Sequence, residues 1–290
     1  MKKVIEKAAV LIEALPYIQR FHGDTVVVKF GGSIMDDEQG VRNILKDIAF
    51  MACVGLRPVI VHGGGKAISR RMEEAGLKPR FEHGLRVTDE ASVAIVEDVI
   101  NHVVNPHVVD ILKGFKCKAR GMHGDDFVSV QKHTRIDEET GETLDWGYVG
   151  EVLAVDVEPI QAFLECGITP VITPLGRGDD RKIYNVNADE AAAGIARELK
   201  ARKLVFLSDV PGLLKDPEDH TSRISHVERD DVDRLIKDGI IGGGMIPKIR
   251  GAVQALDAGV RKTHLIDSAM PHSLLLELFT DEGVGTEIVR

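Results

Sequence analysis

Lys29 and Lys248 carry the first chemical signal in this sequence, because each stands at the edge of a glycine run. Lys29 lies in TVVVKF, Thr25 to Phe30, directly before Gly31 and Gly32; Lys248 follows Gly242-Gly243-Gly244-Met245-Ile246-Pro247. Glycines let backbone N–H groups approach an oxyanion closely, and a neighbouring ammonium adds mobile positive charge. Either lysine alone reads as a solvated surface residue. Two of them, each tied to a glycine loop, read as a phosphate site. Between them, Asn185-Val186-Asn187-Ala188-Asp189 precedes the helical stretch AAAGIARELKA. Its Asn and Asp side chains can cap that helix or hold ligand and lysines.

The familiar glycine fingerprints fail one by one. Gly63-Gly64-Gly65-Lys66 resembles part of a P-loop, but Ala67 stands where Ser or Thr would bind magnesium, and the upstream glycine is missing. The third glycine of a dinucleotide fingerprint is replaced by Ile68 after Gly63 and Gly65, and by Pro247 after Gly242 and Gly244. His62-Gly63-Gly64-Gly65 resembles an oxyanion loop of lipases, yet no GxSxG nucleophile turn accompanies it.

These loops need rigid elements to hold them. TVVVKF reads as a buried strand ending in a glycine turn, and VRNILKDIAFMACVG places Ile44, Ile48 and Met51 at helical spacing with Gly55 as a stop. RPVIVHGGG followed by KAISRRMEEAG repeats the rhythm; GITPVITPL, KLVFLSDVPGLL and VRKTHLIDS resume the strand pattern. The alternation predicts an α/β fold with an open, mainly parallel sheet sandwiched by helices and functional loops at the strands' carboxyl ends. Val93, Val96, Val99, Ile100 and Val103 predict a long helix that Pro106 kinks or divides. Residues 127–157 predict a polar antiparallel excursion around a hairpin. Two lobes sharing a continuous sheet follow, at 23–175 and 176–290, with an extra N-terminal helix over 1–22.

Composition narrows the function classes. The 290 residues are 43% hydrophobic and 29% charged, which excludes a disordered or fibrous chain. Lys plus Arg number 37 against 46 for Asp plus Glu, so nucleic acid and anionic membranes are poor partners. Cys53, Cys117 and Cys166 are sparse and unpaired in spacing, arguing against a disulfide framework or zinc site. Cys53 and Cys166 are expected to pack as small apolar residues. Glu6 and Glu13 interrupt any signal-peptide core, and no apolar run reaches membrane-span length, so a cytoplasmic protein is expected.

VVKFGGS, VIVHGGG, GLRVT (Gly84 to Thr88), YNVNADEAA, LSDVPGLL and GGGMIPK occur in that order. Together they resemble the amino acid kinase family and, within it, the members acting on N-acetyl-L-glutamate; the match covers nearly the whole chain. The resemblance implies transfer of the γ-phosphoryl of ATP to the substrate's side-chain carboxylate, giving an acyl phosphate early in arginine biosynthesis. A carboxylate of pKa about 4.3 is already ionised at pH 7, so no general base is needed and His62 is read as structural. By the same resemblance, Lys29 and Lys248 act on the phosphates, Asp189 holds both ammonium groups, the N–H groups around Gly32 and Gly64 cradle the transferring group, and Gly31 joins Gly32 on the phosphate side. Gly64, Gly65, Arg86 and Asn185 border the substrate, and Ser208, Asp209 and Gly212 line the adenine-nucleotide side. Mg²⁺ is expected to arrive on the ATP phosphates and water, without a dedicated protein metal site.

Val4, Ala8, Leu11, Leu15 and Ile18 form an apolar helical stripe, which Pro16 is expected to kink near its end. Periodicity alone leaves open whether this helix docks on its own subunit or on another. ALPYIQRF and HSLLLELFTDEGVGTEI resemble segments of arginine-inhibited family members. That resemblance implies a homo-hexamer built as a trimer of dimers, with 1–22 as the oligomerisation helix. It also implies an acetylglutamate-binding and dimerisation lobe at 23–175, and an ATP lobe with a C-terminal effector segment at 176–290. Tyr17, Glu282 and Gly283 are its candidates for an L-arginine site. The competing readings are a kinase of the same fold acting on glutamate, aspartate, carbamate or a nucleoside monophosphate, and a non-catalytic nucleotide or amino-acid sensor.

Overall fold

Eight short, largely apolar segments pair into one sheet in the computed structural model, which describes residues 2–136, 141–216, 218–280 and 283–290. They are β1 (Thr25–Phe30), β2 (Arg57–His62), β3 (Ala119–Met122), β4 (Thr169–Ile172), β5 (Lys203–Ser208), β6 (His226–Glu228), β7 (Lys262–Asp267) and β8 (Thr286–Val289). Their spatial order is β6-β8-β7-β5-β1-β2-β4-β3, and every neighbouring pair is parallel except β7 with β8. The chain leaves β1 toward β2 on one side and later returns to β5 on the other. The carboxyl ends of β1, β2 and β5 therefore meet at a topological switch point, where open α/β sheets place their ligands.

The helices are α1 (Lys2–Phe21), α2 (Glu38–Cys53), α3 (Gly65–Glu74), α4 (Glu90–Asp98), α5 (Asn105–Gly114), α6 (Glu158–Glu165), α7 (Ala188–Glu198), α8 (Val232–Lys237), α9 (Met245–Asp257) and α10 (Ser273–Phe279). Strand alternation decides which of them meet the site. Val26, Val28 and Phe30 face α2, α5 and α10, packing against Leu45, Leu112 and Leu278. Val27 lies on the opposite face, with Ile195 of α7 and Ile249 of α9. Period two puts Lys29 on that second face too, toward the helices that carry Asp189 and Lys248. Burying side chains of this size contributes roughly 1.5–3 kcal/mol each, so the layers hold the loop ends firmly.

The architecture agrees with the expected helix-flanked, mainly parallel sheet. The expected boundary at 175/176 falls inside a strand, Leu175–Arg177, that belongs to a second four-stranded set. That set includes the antiparallel pair Val128–Ile136 and Thr143–Val155, the hairpin excursion read from composition. The helix through Pro106 is not divided. A π-helical turn, Val99–Val104, joins α4 to α5, and its wider ring absorbs the hydrogen bond that proline cannot donate.

Cys53 and Cys166 correct an expectation: both are exposed, because they end α2 and cap α6 where the helices reach solvent. In α1, which continues through Pro16, Ile18 packs on the core beside Tyr17 and Phe21. Leu15 and Ile12 are 43% and 68% exposed, an apolar surface left uncovered among the described residues. The side chains of Val4, Ala8 and Leu11 lie outside the described residues.

Candidate active site

Asp189 joins the two glycine-edge lysines. It opens α7 behind the N-cap Asn187, whose Oδ1 accepts from the Asp189 N–H at 2.8 Å. The carboxylate then reaches two ways: Oδ1 lies 2.8 Å from Lys29 Nζ, and Oδ2 accepts from Lys248 Nζ at 2.6 Å. All three side chains are largely buried. Burial alone would raise the Asp189 pKa, but the two ammonium groups outweigh it and hold the carboxyl below its usual range. Burial is also the largest influence on Lys248 and lowers it, although Asp189 pulls the other way. Two positive charges thus converge on one carboxylate held between them.

The glycine loops close on the same point. A Cβ on Gly31 would lie 3.1 Å from the Gly63 Cα and 3.5 Å from Lys29 Nζ, so the loops after β1 and β2 touch through backbone. Gly32 has φ +78, a left-handed conformation that favours glycine. Asp209 ties this loop to the end of β5: its Oδ1 accepts from Ser33 Oγ at 2.6 Å and its Oδ2 from the Ser33 N–H at 3.4 Å. A pocket of about 240 Å³ opens here, lined by Lys29, Gly31, Gly32, Ser208, Asp209 and Lys248, together with Leu207, Val210, Gly244 and Met245. Gly212 is not among its walls. A Cβ there would lie 2.5 Å from Thr286 Oγ1, and the turn at φ +119 serves packing against β8.

Arg86 comes from a two-residue strand, Leu85–Arg86, paired with Phe81–Glu82. Its Nη2 donates to the Gly65 carbonyl at 2.7 Å and to Ser69 Oγ at 2.9 Å, fixing it to the first turn of α3. Phe81, itself 58% exposed, stacks over the guanidinium at 4.6 Å. Its three acceptors, Met72 Sδ included, are neutral, so its positive charge stays available beside Gly64 and Gly65. Asn185 lies half-buried on the strand Ile183–Val186, which leads directly into α7. The lysine pair and the loop after β1 share one pocket, whereas Arg86 and Asn185 are not among its walls.

A second pocket, of about 490 Å³, lies on the opposite side of β5 and β7, between α1 and α10. Tyr17 and Gly283 both line it, as do Arg20, Lys203, His264 and Glu277. Glu282 lies outside the described residues. Glu277, missed by the sequence reading, is the buried carboxylate here: Oε1 meets His264 Nδ1 at 2.7 Å, and Oε2 accepts from the N–H groups of Val284 and Gly285. Burial pushes it up, but these partners outweigh that and hold it below the usual range. The available signal was a lone glutamate inside the apolar run of SLLLELF.

Comparison with known proteins bears on the family rather than on single residues. A profile of the amino acid kinase family matches residues 24–267. The acetylglutamate kinase of Akkermansia muciniphila is 48% identical over 290 residues, covering 99% of this chain and 97% of that one. That of Heliobacterium modesticaldum is 44% identical over 295 residues and covers both chains fully. Among solved structures, the N-acetylglutamate synthase from Neisseria gonorrhoeae, complexed with coenzyme A and N-acetyl-glutamate, superposes with a TM-score of 0.84 at 26% identity. That alignment takes in 98% of this chain but 63% of the longer synthase chain.

Proposed function

The chain belongs to the amino acid kinase family, and from that premise we infer that it phosphorylates the γ-carboxylate of N-acetyl-L-glutamate with ATP, a step of arginine biosynthesis. The observation that carries this reading is near-full-length identity to acetylglutamate kinases in a chain whose two phosphate-seeking lysines share one carboxylate.

The reaction forms a bond between a carboxylate oxygen and the γ-phosphorus and breaks the bond from that phosphorus to the β–γ bridging oxygen. No proton moves. The barrier is repulsion between two anions, so positioning and positive charge supply most of the catalysis. Lys29 stabilises charge on the transferring phosphoryl from the β1 side. Lys248, at the start of α9, neutralises the charge that grows on the β-phosphate as ADP leaves. Asp189 keeps the two ammonium groups together and protonated. The N–H groups of Gly32 and Gly64 cradle the equatorial oxygens, while Gly31 allows the close approach. Arg86 grips the α-carboxylate, with Gly65 and Asn185 completing that wall, and Ser208 and Asp209 border the nucleotide. Mg²⁺, where present, would arrive on the ATP phosphates and water and would screen the polyanion.

The second pocket suits L-arginine as an inhibitor: Glu277 offers a carboxylate to a guanidinium, and Tyr17 brings α1 into the same wall. Exposed Ile12 and Leu15 suit α1 to pairing with a second subunit in a hexamer. The effector then acts by biasing how subunits are arranged, away from the phosphate pocket. No helix among the described residues is long and apolar enough to cross a membrane.

An ADP-release assay with Mg–ATP across N-acetyl-L-glutamate, glutamate, aspartate, carbamate and nucleoside monophosphates tests the main reading. Activity on glutamate but not its N-acetyl form overturns it, and activity on none favours a sensor.

A further inference from the structure

His62 and Asn105 form a buried polar pair to which phosphoryl transfer assigns no task. The imidazole has no exposed surface, and burial pushes its pKa down to about 4, so the ring is neutral at pH 7. Its tautomer follows from its partners. Nδ1 lies 2.9 Å from the Gly63 carbonyl, which can only accept, so Nδ1 carries the hydrogen. Nε2 lies 3.0 Å from the amide nitrogen of Asn105, which can only donate, so Nε2 accepts. That amide gives its other hydrogen to the Val171 carbonyl on β4 at 2.8 Å, which settles the way it faces. Gly121 on β3 leaves the amide its space, since a Cβ there would lie 2.1 Å from Asn105 Oδ1.

The consequence reaches the glycine loop. The Gly63–Gly64 peptide is trans, so its C=O and N–H point in opposite directions. Holding the Gly63 carbonyl against the buried imidazole turns the Gly64 N–H away from it. Gly64 caps α3, whose N-terminal end favours negative charge, and its N–H has no protein acceptor among the described residues. The loop cannot drift toward the helices behind it, because Ile100 of the π turn sits where a Gly64 Cβ would be. Asn105 begins α5 at the other end of that same turn.

We propose that His62, held in its Nδ1–H tautomer by Asn105, is a positioning residue that aims the Gly64 N–H at the transferring phosphoryl group. The proposal rests on the reading of Gly64 as part of the phosphoryl cradle. A donor aimed in advance stabilises charge that develops only in the transition state, so its loss should lower kcat and leave substrate binding alone.

The test uses Asn105→Asp and His62→Gln in the full-length protein. In Asn105→Asp an ionised carboxylate of the same shape can only accept. Nε2 must then carry a hydrogen, so its partner no longer selects the Nδ1–H tautomer. In His62→Gln the rigid ring is gone, which provides a second route should the aspartate variant fail to fold. The expected result is a fall in kcat on the order of 10- to 100-fold, with both KM values within about twofold. Titration with ADP and aluminium fluoride in the presence of Mg²⁺ and N-acetyl-L-glutamate should show a matching loss for the transition-state mimic, with the affinity for ADP alone unchanged. Folded variants that keep kcat, or that lose ADP and mimic equally, overturn the proposal while sparing the kinase reading. A wild-type protein that is inactive on N-acetyl-L-glutamate and does not bind the mimic overturns both.

Discussion

Asp189 Oδ2 accepts a 2.6 Å hydrogen bond from Lys248 Nζ, joining the start of α7 to the start of α9 across the face that β1 turns toward them. Because Oδ1 is engaged by Lys29, this carboxylate pairs with both phosphate-directed charges. Asp189→Asn should reduce kcat on the order of 100-fold, since two ammonium groups left without their counter-charge repel each other out of alignment. Lys248, already lowered by burial, loses its main opposing attraction, so the basic limb of its pH–rate profile should move to lower pH. A pH series of ADP release with wild type and variant checks both; an unmoved basic limb would mean that Asp189 is not what keeps Lys248 charged.

Lys248→Ala removes the charge aimed at the leaving group and leaves Asp189 paired with Lys29. The expected loss is about 100- to 1,000-fold in kcat, the scale seen when a single preorganised electrostatic donor is deleted. KM for N-acetyl-L-glutamate should change little, because Arg86 and the Gly65 wall are untouched. Steady-state kinetics on both substrates separates these effects.

Phe81 stacks on Arg86 at 4.6 Å while mostly exposed, so it holds the guanidinium plane at small cost to the fold. A partly exposed cation–π contact is worth roughly 0.5–1 kcal/mol, so Phe81→Leu should raise KM for N-acetyl-L-glutamate about two- to five-fold. The kcat and KM for ATP should stay put, and Phe81→Tyr should restore the wild-type value.

These residues differ in how far they could be read in advance, for physical reasons. Lys29, Lys248 and Asp189 were legible because short-range patterns (a strand end, a helix start, a capping Asn–x–Asp) place them, and strand alternation does the rest. Phe81 was not: a two-residue strand has no periodicity, and its partner Arg86 is met only after the chain folds back. Cys53 and Cys166 were misread because apolar neighbours in sequence do not determine which side of a helix end faces water. The π turn before Pro106 was hidden because a helix can widen around a proline as readily as break. Asn105 looked like any polar residue near a proline until β4 and His62 were brought beside it.

Glu190 follows Asp189 on α7, and its Oε1 accepts from the Val152 N–H at 2.9 Å. The residue opposite is irregular: the register between Val128–Ile136 and Thr143–Val155 shifts between Ser129 and Val130, and the carboxylate satisfies an amide beside that irregularity. Burial, reinforced by Glu151, raises its pKa from 4.5 to about 7. A carboxyl raised on folding binds its proton more tightly in the folded state. Its contribution is fully present below pH 4.5 and is lost as pH rises through about 7. Glu190→Gln keeps an acceptor for Val152 and removes the titration, so the variant should be more stable than wild type at pH 8. That gap, on the order of 1–3 kcal/mol, should close by pH 4.5 in paired urea melts. A gap independent of pH would show that Glu190 does not titrate in this range.

Tyr17, Arg20 and Phe21 of α1 line the second pocket together with Glu277 of α10, so under the proposed reading a ligand there would bear on the placement of α1. The carboxylate is already served by His264 and two backbone N–H groups, with Lys203 on the same wall, and a guanidinium would add a further cation. Glu277→Gln should therefore weaken inhibition by L-arginine at least on the order of tenfold, the worth of one charge-assisted hydrogen bond, while basal kcat stays within about twofold. Deleting residues 1–22 takes away Tyr17 and the exposed Ile12 and Leu15 at once. The truncated enzyme should run as a smaller oligomer in light scattering, remain active, and respond weakly to L-arginine. A truncated protein of unchanged mass and unchanged inhibition would separate α1 from both roles. In that event α1 belongs to its own subunit's fold, and Glu277 must act without it.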